Sequence, residues 1–404
     1  MTNGRLAPSD IKLAHAGGSL SVGGRVRHAL DRRLLVDAFG DIEVERALAD
    51  VPDGDFAVVA GTLSDAGIVV EATLLEHIPA GPRTGSKSDV ARLAERGVAR
   101  TLRARSEALG ALRSLFSSMG FLEVETPAIV PCPGLDTHLD AFEVTTASSS
   151  PRYLITSPEY QMKRLLVGGV PRCFQFAKSF RKGEVGARHN PEFTMLEWYR
   201  AFGSVEDVMD DTERIVCAVD EAIGAAIGTL RGLDLKRPFS RLSVAEAFAE
   251  HAGIDTVEML RLANDDSETF FRILVDQVEP ALARSPTPVF LDRYPACMAS
   301  LARLCPDDRR FAERFELYAA GVELCNGFGE LTDPAEQRNR FEHDQRERRA
   351  RGLPVYPIDA RFVGALEEGM PPAAGNALGL DRLVMLALGA SELGDVIAFP
   401  ESEL

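Results

Sequence analysis

No Cys-x-x-Cys pair occurs in this 404-residue sequence, and none of its six cysteines lies at metal-ligand spacing from a histidine. That excludes the common structural zinc modules and points to reduced core thiols. There is no Gly-x-x-x-x-Gly-Lys-Ser/Thr loop, no strand–Gly-x-Gly-x-x-Gly–helix unit with a later acidic residue, and no nucleophile elbow. A nucleotide bound here would be held outside the common glycine-loop designs. Basic charge is also short: 45 Lys and Arg stand against 61 Asp and Glu, a formal charge of −16. A general nucleic-acid binder needs a basic face, so that class is disfavoured, while a local basic pocket is not. No apolar run reaches membrane-spanning length, and residues 1–20 lack a basic segment followed by an apolar stretch. These absences predict a cytoplasmic protein with no membrane partner. What is present, 45% hydrophobic and 26% charged residues, suits two soluble domains around a large core.

Residues 18–78 read as five short strands punctuated by glycines, among them "SLSVGGRVRH" and "FAVVAGTLSDAGIVVEATLLEH". Five strands in so short a span predict a small N-terminal β-barrel of the oligonucleotide-binding (OB) type. "IPAGPRTGSKS" reads as a linker, which sets the domains at 1–85 and 86–404. Beyond it the period changes. Leu109, Leu112, Phe116 and Met119 fall on one helical face, and "FLEVETP" follows as a strand stopped by Pro127. "RYLIT" and "CFQFAKSF" flank the helix-like "PEYQMKRLLVGG"; residues 205–228 read as helix, and Ser243 to Glu246 has capping-box spacing. Strands and helices do not alternate as βαβ units, so the second domain is predicted to be α+β, an antiparallel sheet with flanking helices.

Four segments can carry chemistry. In "FRKGEVGARHNPEFTMLEWYRAF", a hairpin would gather Arg181, Lys182, Arg188 and His189 at one mouth, with Glu192, Glu197 and Tyr199 on the returning strand. Guanidinium groups there suit a polyphosphate; a solvated hairpin is the plain alternative. In "GVELCNGFGELTD", Glu323 and Glu330 bracket a compact turn and can share magnesium, or are two surface glutamates. In "GNALGLDRLVM", Gly375 and Gly379 permit close backbone approach and Arg382 opens an apolar helix. That Arg can meet a triphosphate, unless the glycines serve only tight packing. In "TSPEYQMKR", Glu159 either catches a cationic amine or is a carboxylate favoured by the helix dipole.

Together these segments resemble the catalytic domain of class II aminoacyl-tRNA synthetases, lysyl branch, over about residues 100–402. Within that branch the resemblance is closest to the short elongation factor P–(R)-β-lysine ligases. It rests on "TSPEYQMKRLL", "HNPEFTMLEWYR", "YPACMASLARL", "VELCNGFGELTD", "RGLPVYPID" and "LGLDRLVMLALGA". "FLEVETP" looks like motif 1, which implies a homodimer; the Arg181 hairpin looks like motif 2, and "GNALGLDRLVM" like motif 3. The resemblance implies an ATP-dependent, AMP-forming ligase using Mg2+. Arg181 and Arg382 would be catalytic, holding the α- and γ-phosphates. Lys182, Gly183, Glu184, His189, Asn190, Glu323, Leu324 and Gly379 would complete the ATP site, and Glu323 and Glu330 would hold the metal. Ser157, Pro158, Glu159, Tyr199, Asn326, Glu330 and Ala377 would bind lysine or (R)-β-lysine, and elongation factor P would be the acceptor.

Two departures stand out. The family's motif 2 begins Arg-x-Glu, whereas this chain reads Arg181-Lys182-Gly183-Glu184; Glu184 replaces the missing carboxylate if the register shifts locally. The second departure is the N-terminal segment, absent from the short ligases. Its only aromatics are Phe39 and Phe56, and its acids outnumber its basic residues. Single-strand binding wants a basic groove with stacking aromatics, so tRNA is not the expected partner. A reduced lysyl-tRNA synthetase and a non-catalytic amino-acid-binding regulator are the competing readings.

Overall fold

The computed structural model describes residues 5–82, 88–137, 139–147, 150–224 and 230–404. The chain divides into two compact units, Met1–Arg103 and Ala104–Leu404. The boundary expected at 85/86 lies at residues 83–87, outside the described residues.

In the first unit, β1 (Ser19–Ala29), β2 (Arg32–Val36), β3 (Asp41–Val44), β4 (Phe56–Leu63) and β5 (Ile68–Ile78) close a barrel in the order β1-β2-β3-β5-β4. Successive strand residues face opposite ways, so Val22, Val26, Leu35, Ile42, Val59 and Val69 meet in one buried core. The Arg25 guanidinium lies 4.2 Å from the Phe56 ring centre, and that of Arg103 lies 3.9 Å from Phe39. Both aromatics that the sequence offers are therefore already covered by a cation.

The boundary falls within α1 (Val98–Ser118), whose first turns belong to the first unit and whose remainder opens the second. The chain then runs through β6 (Leu122–Glu123), β7 (Ile129–Val130), β8 (Glu143–Val144), β9 (Arg152–Leu154), α2 (Glu159–Val167), β10 (Arg172–Phe180), β11 (Glu192–Ala201) and α3 (Val205–Gly224). Next come β12 (Ser240–Ser243), α4 (Val244–Ala252), α5 (Thr256–Asp265), α6 (Ser267–Ile273), α7 (Glu279–Leu282), β13 (Val289–Pro295), β14 (Phe311–Ala319) and β15 (Val322–Gly329). The chain closes with α8 (Pro334–Ala350), α9 (Ala360–Gly369), β16 (Ala373–Gly379) and α10 (Leu380–Ala387).

One sheet dominates, in the order β12-β13-β14-β15-β16-β11-β10-β6. It is mixed rather than wholly antiparallel: the terminal pairs β12–β13 and β10–β6 are parallel. Parallel neighbours need a crossover; α4 to α7 supply one, and the segment containing α2 supplies the other. On one face α1, α3 and α10 bury Leu112, Phe116, Val208, Val219 and Leu383 against Leu196 and Trp198 of β11. The stacked rings of Phe116 and Phe174, 4.3 Å apart, pin α1 to β10. On the opposite face α2 and α9 bury Met162, Leu166, Phe362 and Leu366 with Tyr199. The alternation along β11 thus sends Trp198 to the helical core and Tyr199 to the other side. The expected capping box forms: Ser243 Oγ accepts the Glu246 N–H and Glu246 accepts the Ser243 N–H.

Candidate active site

A cavity of about 400 Å³ opens over the middle of this sheet. It is lined by β11, β15, β16, the start of α10, the β10–β11 hairpin and the start of α2. Of the site residues expected from the sequence, Lys182, Gly183, Pro158, Tyr199 and Glu330 stay off its wall, and all the others line it.

The hairpin end is cationic. β10 and β11 pair antiparallel from Arg172↔Arg200 to Phe180↔Glu192, so Arg181 leaves the sheet at the turn. Arg181 Nε is buried without a hydrogen-bond partner among the described residues, and its Nη1 lies 3.6 Å from Glu184 Oε1. Gly183 stands at φ +86°, a backbone conformation that costs little only in glycine, and turns the chain between Arg181 and Glu184. Glu184 consequently still faces the cavity beside Arg181. Arg382 projects from the first turn of α10. Its Nη1 donates to the Glu323 carbonyl at 3.0 Å, and its Nη2 lies 2.6 Å from His189 Nε2. Desolvation, then the Arg382 charge, lowers the His189 pKa, so the ring is a neutral acceptor at that contact. Asn190 is less free: its amide donates to the Glu192 carbonyl at 2.6 Å and accepts the Glu401 N–H at 2.9 Å. Lys182 is exposed, its N–H donating to the Asp140 carbonyl at 2.7 Å.

Glu323 is the carboxylate on the floor of this end, where Glu184 is turned toward Arg181. Burial at the cavity floor, then Glu316 on the neighbouring strand, raises its pKa; Arg382 and Arg181 oppose that. Glu316 is held from behind by Arg314 Nη2 at 2.7 Å and by the hydroxyls of Tyr294 and Tyr318 at 2.6 and 2.8 Å. Among the described residues no group of three or more His, Cys, Asp or Glu side chains is arranged to hold a metal ion. One open carboxylate, with a second behind it, fits a magnesium ion carried largely by phosphate oxygens and water. It does not fit a metal held by the protein alone.

The other end is a buried carboxylate cluster. Lys163, fully buried, places Nζ 2.6 Å from Glu159 Oε1 and 2.5 Å from Glu330 Oε2. Burial works against the lysine charge, but the two glutamates outweigh it and its pKa is raised. Glu330 is therefore committed to an internal ion pair. Glu197 is fully buried and accepts the Ser157 hydroxyl at 2.5 Å and the Tyr199 hydroxyl at 2.8 Å. Burial first, then Glu159, pushes its pKa up to about 8. Nearby, Asn326 Oδ1 is buried with no partner among the described residues. The sequence places Glu197 on the returning strand but the resemblance gives it no role, and Glu316 is not singled out at all. For Glu197 a signal existed: it precedes Tyr199 by two residues on a strand, hence shares its face.

Gly375 of β16 makes the cluster possible. A Cβ there would stand 2.2 Å from Tyr199 Cδ1 and 2.8 Å from Glu330 Oε1. Gly375→Ala is expected to destabilise the protein by about 1–3 kcal/mol. Gly364→Ala, on α9 where a Cβ meets nothing within 4 Å, is expected to stabilise by about 0.5–1 kcal/mol. Urea unfolding of both variants checks the contrast; equal midpoints would contradict the packing account.

Comparison with known proteins agrees with this geometry. Residues 83–403 match the family of tRNA synthetases class II (D, K and N). The chain is 43% identical over 317 residues to the elongation factor P–(R)-beta-lysine ligase of Klebsiella pneumoniae strain 342, covering 73% of this chain and 93% of that protein. It is 43% identical over 310 residues to the ligase of the same name from Yersinia enterocolitica, with the same coverage. The Hamiltonella defensa ligase is 42% identical over 312 residues. A cationic hairpin, an arginine opening a helix and a carboxylate pocket on one mixed sheet, matched over most of the chain, make this protein a member of the class II tRNA synthetase family.

Proposed function

We propose that this chain is an ATP-dependent, AMP-forming ligase that activates lysine or (R)-β-lysine as an aminoacyl adenylate and transfers it to a lysine of elongation factor P. The observation that carries the reading is the continuity of one cavity, from Arg181, Arg382 and Glu323 to Ser157 and Glu159, in front of the buried Glu197. Phosphates fit the first end and a diamine fits the second. The relatives, matched over 93% of their length, bear that activity in their names.

In the first step no general base is needed, because the substrate carboxylate is already the nucleophile. It attacks the α-phosphate and pyrophosphate leaves. Arg181 would steady the α-phosphate and Arg382 the γ-phosphate, so the protein contributes position and charge. Magnesium, when bound, would neutralise phosphate charge; Glu323, with Glu316 behind it, is the side chain placed to hold it. Glu197 and Tyr199 would take the terminal amine, while Lys163 offsets the charge of Glu159 and Glu330. Ser157 and Ala377 would shape the pocket for the α- or β-amino isomer.

The closed barrel in the order β1-β2-β3-β5-β4 supports an OB-like reading, in which residues 1–85 would form its domain, with 86–404 catalytic. The arginines over Phe39 and Phe56 weigh against base stacking, hence against tRNA charging by this module. Leu122 and Ile129, exposed beside the motif 1 strand, support a homodimer. The test is the mass of elongation factor P after incubation with enzyme, ATP and (R)-β-lysine. Addition of one β-lysyl group is expected; unmodified factor alongside charged tRNA-Lys would replace this reading with the synthetase one.

A further inference from the structure

One lobe of the cavity serves neither the phosphates nor the substrate amines. Gln337, Phe341 and Asp344 stand at i, i+4 and i+7 on α8, one helical face, and all three line the cavity. Asp136 and Tyr160 line it opposite them. The lobe is a built structure. Fully buried Arg348, one turn further along α8, donates to the carbonyls of Asp136 and Leu139 at 2.7 and 2.9 Å. The Tyr160 hydroxyl accepts the Leu135 N–H at 3.1 Å, and its ring centre lies 5.5 Å from that of Phe341.

Within this frame Gln337 is anomalous. It is 0% exposed, yet neither Oε1 nor Nε2 has a hydrogen-bond partner among the described residues. A buried amide left unmade is costly, and a polar ligand in the lobe would remove that cost. Asp344, half-buried, makes no side-chain hydrogen bond or salt bridge among the described residues. Arg340, the cation whose charge acts on Asp344, is spent on Glu336 and on the carbonyls of Ser300 and Ala302. An acidic lobe with an empty amide calls for a cation that both donates and tolerates a polar neighbour, which describes a primary ammonium.

We propose that this lobe is the acceptor subsite: the ε-ammonium of the acceptor lysine enters between Asp136, Asp344 and Gln337, and Asp344 takes its proton. The inference rests on the ligase reading above. An unperturbed lysine amine has a pKa near 10.4, so the neutral nucleophile is scarce at pH 7 and a base is useful. The first proton passes to Asp344. The amine nitrogen then bonds to the adenylate carbonyl carbon, the carbon–oxygen bond to the phosphate breaks, and AMP leaves. The second proton goes from nitrogen to the departing phosphate oxygen, and an amide remains. Burial first, then Asp136, pushes Asp344 up to about 7; Arg340 opposes this and Glu347 adds to it. Tyr160, whose pKa is raised by burial, stays neutral beside it.

The test separates the two half-reactions. In Asp344→Asn, single-turnover transfer to elongation factor P is expected to fall by about 100-fold, while amino-acid-dependent ATP–pyrophosphate exchange keeps its rate. Wild-type transfer should rise with pH to a break near 7, and the variant should lack that break. Gln337→Leu should raise the KM for elongation factor P with exchange intact. Normal transfer by Asp344→Asn, or exchange falling with transfer, overturns the proposal. Should Asp344→Asn fail to fold, an unchanged acceptor KM in Gln337→Leu overturns it. Absence of exchange in the wild type removes the ligase reading itself, and the subsite with it.

Discussion

Arg382→Ala is expected to lower amino-acid-dependent ATP–pyrophosphate exchange by at least about 10³-fold, the scale for losing a positioned cation from a phosphoryl transition state. The side chain is 22% exposed, and its polar contacts are the Glu323 carbonyl and carboxylate, the Arg188 carbonyl and His189. Leu380, Leu383, Val384 and Met385, each fully buried, hold α10 in place without it. The melting temperature should therefore stay close to wild type while activity disappears. Arg382→Lys should recover little, because an ammonium cannot reproduce the fork of donors. Near-normal exchange in the alanine variant would remove Arg382 from the phosphate site.

Glu197→Gln has the second large effect, and pH exposes its origin. With its pKa pushed to about 8, Glu197 is mostly protonated in the empty pocket at pH 7. An incoming ammonium favours the anion, so binding lysine or β-lysine should release close to one proton. Affinity should rise with pH up to about 8 and then level. Calorimetry in two buffers of different ionisation enthalpy measures that proton directly. Glu197→Gln should abolish the release and weaken binding by about 30-fold or more, the loss of a buried charged partner. The sign for stability is opposite. The folded pKa lies above the ordinary 4.5, so the empty protein should lose stability as pH rises from there through about 8. The glutamine variant should flatten that slope. Unchanged proton release in the variant would assign the titration to another group.

The chemistry of the hairpin was legible because Arg181, His189 and Glu184 crowd into one short segment, and pairing of β10 with β11 does bring them to a cavity. The long amphipathic helices and the Ser243 capping box were legible from period and spacing. The carboxylate end was not. Glu316 sits in an ordinary apolar strand, and only the fold shows Tyr294, Tyr318 and Arg314 converging on it. Lys163 reads as one charge on an amphipathic helix, but burial between Glu159 and Glu330 makes it part of the pocket's charge balance. The segment between Glu323 and Glu330 is no turn but strand β15, and the Lys163 pairing explains why Glu330, just past its end, sits behind the wall rather than on it. The strand at β6 was legible in "FLEVETP", but its parallel pairing with β10 was not, because two residues carry no pairing signal; β12, four residues long, was too short for periodicity to register.

Amino-acid-dependent ATP–pyrophosphate exchange, run with (R)-β-lysine and α-lysine side by side, tests the central claim most directly. The ligase account predicts exchange with a clear preference for (R)-β-lysine, lost in Arg382→Ala. No exchange with either amino acid would contradict it.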